Sequence, residues 1–176
     1  MPNGAIVADG YNLVIGGLAV SFQRYPEGTL QGADEAPRSY GALPVELSAP
    51  TSAFLPAREG EGIWLGFMPR DVAECSVAVG WLGGGQADDL PRPWSAVVAK
   101  LEIVHGLRSP QGAFCPFIPF PVARNIIPCP GVVISVRGRQ DIEVRFDSVA
   151  DFEAKAGKPA PRPMSPDDSY GGWLLP

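Results

Sequence analysis

Glycine and proline break this chain so often that no long helix can run through it: 21 glycines and 20 prolines stand among 176 residues. Proline has no N–H to give a helix or a central ladder, and interior glycine weakens both. The apolar runs left between these breakers are short and mostly alternate, which is the period of a strand. The pattern predicts an all-β, single-domain β-sandwich or barrel of about eight antiparallel strands, with one short helix near the C-terminus. Residues 1–157 form the expected β domain, and residues 158–176 an extended proline-rich tail. A hydrophobic content of 45% is enough for a continuous core.

Local signals place several elements. Gly16-Gly17 sits between two apolar runs and reads as a tight hairpin turn, with Leu18, Val20 and Phe22 sharing one face. Residues 26–60 are rich in Pro, Gly, Glu and Ala, with a short strand expected at 43–47; a connection this long is a place to look for a binding surface. Ile63, Leu65 and Phe67 alternate with Trp64, Gly66 and Met68, so both faces of that strand look buried. Val97, Ala99, Leu101 and Ile103 read as the inward face of one strand, with Lys100 and Glu102 outward. Val132, Ile134 and Val136 pair in the expected hairpin with Ile142, Val144 and Phe146, setting Val136 opposite Val144, Ile134 opposite Phe146 and Arg137 opposite Glu143. Ser148 reads as an N-cap with Asp151 three residues on and Gly157 at the stop, which predicts a helix over 148–156.

Between residues 110 and 131 stand six prolines (110, 116, 119, 121, 128 and 130) and many large apolar side chains. Central strands exclude proline, so this segment reads as an edge strand or a covering loop. Phe114, Phe117, Ile118 and Phe120 on it, with Trp173, Leu174 and Leu175 of the tail, form the expected binding surface. Tyr170 and those last three residues are too apolar to leave in water, which predicts a docked tail.

Charge and residue types narrow the function. The formal charge is −5 and the basic residues are dispersed, so no basic stripe is present to meet a phosphate backbone, and nucleic acid is not an expected partner. No apolar run reaches the roughly 20 residues of a membrane-spanning helix, and no basic residue precedes the first apolar stretch as a secretory leader requires. The expectation is a cytoplasmic protein without a membrane partner. Cys75, Cys115 and Cys129 are odd in number and widely spaced, so they read as reduced, buried thiols.

Catalytic types are sparse. His105 is the only histidine and hence the one candidate imidazole base, yet no nucleophile motif surrounds any serine or cysteine. A zinc site from His105 and the three cysteines lacks the close ligand pairs such sites use, so neither metal nor cofactor is expected. Gly83-Gly84-Gly85 lacks the Lys-Ser/Thr of a phosphate loop. Glu59, Glu61, Glu74 and Glu102, with Trp64, Trp81 or Trp94, supply the residue types for a glycosidase carboxylate pair. Three functional readings follow. The first is a non-catalytic binding or interaction protein, with a protein partner or self-association into a homo-oligomer. The second is a small enzyme or ligand-binding protein whose pocket uses His105 or a carboxylate pair. The third is a structural part of a virion or secretion apparatus.

Overall fold

A computed structural model of the chain describes residues 5–83 and 89–168. Its strands are β1 (Ile6–Ala8), β2 (Asn12–Ile15), β3 (Leu18–Pro26), β4 (Glu46–Ala49), β5 (Ser52–Ala57), β6 (Glu61–Pro69), β7 (Cys75–Trp81), β8 (Trp94–Val98), β9 (Glu102–Val104), β10 (Gly106–Arg108), β11 (Phe114–Pro116), β12 (Gly131–Val136) and β13 (Ile142–Ser148). They build a five-stranded sheet in the order β1-β2-β3-β6-β9, a six-stranded sheet in the order β4-β5-β13-β12-β7-β8, and the pair β10-β11. The fold is the expected all-β single domain, a β-sandwich and not a closed barrel. Many of its strands are only three or four residues long, and one neighbouring pair, β5 and β13, runs parallel.

The core lies between the two large sheets, where Leu18, Val20, Phe22, Ile63, Leu65 and Phe67 of one meet Leu55, Val77, Val79, Val132, Ile134 and Val144 of the other. Gly16 and Gly17 both have positive φ (54° and 86°) and close the β2–β3 hairpin, in which Ile15 pairs with Leu18. Only a mirror-image turn matches strand twist with two residues, and it demands such angles.

Strand β3 is buried from Leu18 to Tyr25 and β6 from Glu61 to Phe67, so both faces of this central pair are covered. The cover is the connection after β3. The Trp64 Nε1–H donates to the Pro37 carbonyl (3.0 Å), and Ser39, Gln23 and Ser21 form a buried hydrogen-bonded chain. Residues 40–43 then run along β3 beyond the end of β2, with Leu43 N–H on the Phe22 carbonyl (2.7 Å). The strand expected at 43–47 therefore resolves into this edge contact, followed by β4.

Two expectations of register are corrected. The run from Val97 to Ile103 is two strands in two different sheets, with the chain crossing between them at residues 99–101. Its inward positions are the even ones: Val98 and Val104 are buried, while Val97 is 58% exposed. In the β12–β13 hairpin, Ile134 pairs with Ile142 and Val132 with Val144, and Arg137 does not face Glu143. The turn begins earlier than expected, because Arg139 N–H closes onto the Val136 carbonyl (2.9 Å) around Gly138. Val136 thus pairs with Val77 of β7 and not with β13.

The helix α1 (Val149–Ala156) forms as its caps predict: Ser148 Oγ accepts from Asp151 N–H, and Gly157 is left-handed at φ 68°. Phe152 anchors it on Phe54 of β5, with ring centres 5.6 Å apart. The following residues, 158–168, lie along the surface. Arg24 and Arg58 donate to the carbonyls of Arg162 (2.9 Å) and Pro161 (2.8 Å), and Lys158 pairs with Glu46. Tyr170, Trp173, Leu174 and Leu175 lie outside the described residues.

Candidate functional site

The chain turns over at His105. Before it Val104 faces the core, and after it Leu107 does, so inward positions switch from even to odd at the histidine. That switch leaves Ile103 and Arg108 on the outside, with His105 almost buried between them. Gly106 is needed next to it. A Cβ there would stand 2.5 Å from the Cys115 carbonyl oxygen and 2.5 Å from the Phe114 ring, which packs down over the bare backbone. The rings of His105 and Phe114 are 4.8 Å apart, so two of the sequence-derived candidates do meet.

Around them opens a cleft of about 690 Å³, lined by residues 33–36 of the covering connection, Arg92–Trp94, Ile103–Arg108 and Phe114. The connection is tied in by His105, whose Nε2 lies 2.9 Å from the Gly32 carbonyl oxygen. A carbonyl only accepts, so Nε2 carries a hydrogen, and in the neutral ring Nδ1 is then an acceptor. Among the described residues Nδ1 receives no hydrogen bond.

In the lining of the same cleft Arg92 and Arg108 stand opposite each other in an antiparallel bridge, Arg92 N–H on the Arg108 carbonyl at 2.7 Å. The Arg108 guanidinium sits 5.8 Å from the centre of the Phe114 ring and donates to the Gly112 carbonyl (3.1 Å). Neither arginine joins an ion pair among the described residues, and neither do Asp34 and Glu35, which line the same cleft.

The remaining candidates lie elsewhere. Phe117 and Ile118 are fully buried, with Phe117 against Trp81 (6.3 Å), so they close the core from β11 onward. Phe120 (37% exposed), Val122 (63%) and Ile127 (63%) remain at the surface of the same segment. The segment is pinned there by Glu27, whose carboxylate accepts from Val122 N–H (2.9 Å) and Ala123 N–H (3.0 Å). Beside Phe120 a second groove of about 660 Å³ runs between Pro119–Pro121, Pro128–Pro130 and Phe146.

Of the acid candidates Glu61 is engaged, and the thiols are blunted. Glu61 is buried and paired with Arg24 (3.4 Å), and burial lifts its carboxyl above the usual range against the pull of that guanidinium. Trp64 belongs to the covered interior. Cys75, Cys115 and Cys129 are free, and burial pushes every one of these thiols up, away from the reactive thiolate. Among the described residues no three His, Cys, Asp or Glu side chains gather in a metal-binding group, and no helix is long and apolar enough to cross a membrane.

Sequence reasoning missed Arg92, Arg108 and Gly106, and reached Asp34 and Glu35 only as part of the 26–60 connection. Nothing local marks the arginines, because their pairing exists only once the strands are placed. No family model, no curated protein and no solved structure matches the chain.

Proposed function

We propose that this chain is a cytoplasmic, non-catalytic binding or interaction protein built on a β-sandwich, and that its ligand occupies the cleft over His105. One observation carries the reading: two arginines that line the His105 cleft face each other and join no ion pair among the described residues. Like charges directly opposed across a strand pair weaken the fold, so an arrangement of this kind is a cost that a bound anion relieves. The described lining residues include no Ser, Thr, Cys or Lys, which leaves His105 without a nucleophile to activate. Three unbridged thiols suit a reducing compartment.

The test is amide-shift mapping of ¹⁵N-labelled protein against four separate probes: an N-acetyl amino acid, an amino-acid amide, inorganic phosphate and a methyl glycoside. Shifts gathered at residues 33–36, 92–94 and 103–108 are the expected result. Silence with all four probes, or shifts confined to other surfaces, overturns the reading. A turnover found in the protein that falls by about 10²-fold in His105→Ala, with the fold intact, would replace it with the enzyme reading.

A further inference from the structure

We infer that the cleft recognises the free C-terminus of an extended peptide carrying a basic side chain about three residues upstream. This rests on the binding reading above and names its ligand. The cationic part comes from Arg92 and Arg108, whose opposed positions hold their Cβ atoms about 5.5 Å apart. Arg108 is already oriented, by Phe114 beneath its guanidinium and by the Gly112 carbonyl, while Arg92 forms no ion pair among the described residues. A planar carboxylate placed between the two forks accepts from both, and this geometry favours Arg over Lys.

The same cleft also carries acid. Asp34 and Glu35 follow Gly32, whose carbonyl is held by His105. Strand β10 carries the chain from the residue after His105 to Arg108, about 7 Å at strand rise, so the histidine and the arginine stand within about 10 Å of each other along the chain. The arginines and these carboxylates share the cleft without an ion pair between them among the described residues, so it offers positive and negative charge at separate places. A phosphate dianion satisfies the arginines but is repelled by the two carboxylates. A peptide matches both charges, because three extended residues span the same distance between its carboxylate and a Lys or Arg upstream. Beside the Gly32 contact the neutral His105 ring offers Nδ1 as an acceptor for a peptide N–H, and Phe114, Trp94 and Ile103 provide an apolar wall for intervening side chains.

The decisive measurement is calorimetric titration with the acetylated peptide Lys-Ala-Leu-Val bearing a free carboxylate, with its C-terminal amide, and with the analogue in which norleucine replaces lysine. The amide should bind about tenfold more weakly or worse, the loss expected when charge-assisted hydrogen bonds go unmade. The norleucine analogue should lose a few-fold, and added salt should shrink that difference. Arg92→Gln and Arg108→Gln, both exposed and checked for unchanged melting, should each remove most of the discrimination between acid and amide. Equal binding of acid and amide, with shifts still in the cleft, overturns the C-terminus inference and leaves the binding reading standing. Discrimination that survives both arginine variants overturns it as well. If no peptide binds while another of the four probes shifts the cleft, only this inference falls; if nothing binds at all, both fall.

Discussion

Arg24 in the central β3–β6 pair and the Arg92–Arg108 bridge at the β8–β10 end of the sandwich are handled in opposite ways. Arg24 is driven into the interior, where its charge meets Glu61 at 3.4 Å and the Arg162 carbonyl at 2.9 Å, although its buried Nε has no partner among the described residues. The neighbouring Ser21, Gln23 and Ser39 likewise satisfy one another. Arg92 and Arg108 are exposed, oppose each other, and have no carboxylate within pairing distance among the described residues. Charge taken inside this fold is matched by the fold, because an unpaired buried ion is too costly to keep. Charge left unmatched lies where a ligand can reach it.

The contrast between interior and cleft can be broken by mutation, and the largest effect is expected from a residue on neither side of the ion balance. Phe117→Ala should cost about 4 kcal/mol in urea unfolding, since the ring is fully buried, whereas Phe120→Ala in the same segment should cost under about 1 kcal/mol. Similar losses at the two positions would erase the division of this segment into a buried and an exposed half. Glu61→Ala should cost about 3 kcal/mol by leaving Arg24 buried without its carboxylate. Burial raises the Glu61 carboxyl, so the native state holds that proton more firmly than the unfolded chain. Stability of the wild type should therefore fall as pH rises from the ordinary carboxylate range through the raised value, and Glu61→Gln should lack this fall. An identical pH profile in the two proteins would remove the desolvated carboxylate from the account.

At the cleft, Gly106→Ala should cost about 2 kcal/mol, because the added methyl meets a backbone oxygen that cannot yield as well as the Phe114 ring. The same variant should move the Phe114 ring resonances; a silent substitution would show that the ring does not rest on Gly106. Ser148→Ala, which removes the cap of α1, should cost about 1 kcal/mol in thermal unfolding. Arg92→Gln should change stability by no more than about 0.5 kcal/mol, and toward greater stability, since it relieves a like-charge pair. A clear destabilisation there would mean that Arg92 is a structural residue and that the opposition of the two arginines is not strained.

Much of the framework was legible in the residues. Ser148 and Gly157 bracket the helix, Gly16-Gly17 makes the hairpin, the alternation at 63–68 marks a doubly covered strand, and the prolines of 110–131 keep that segment out of any sheet centre. Each of these depends on backbone groups within a few residues of the signal. The reading of 97–103 failed because an unbroken apolar alternation does not reveal that the chain changes sheets partway. The β12–β13 register failed because alternation specifies parity, while the position of the turn specifies the offset.

Of the candidate site, the sequence by itself could single out His105 and Phe114, a lone imidazole and an aromatic ring among prolines, and the long connection at 26–60. It determined that the chain is an all-β domain, sandwich or barrel, with one capped helix, because propensity, turn geometry and hydrophobic period act over short stretches of chain. Only the tertiary structure decided that Phe117 and Ile118 belong to the core, that Gly32 reaches across 73 positions to His105, and that Arg92 faces Arg108. Those relations depend on which strands become neighbours, and neighbours are chosen by the burial of the whole apolar surface at once, a sum to which no single residue's sequence context gives access.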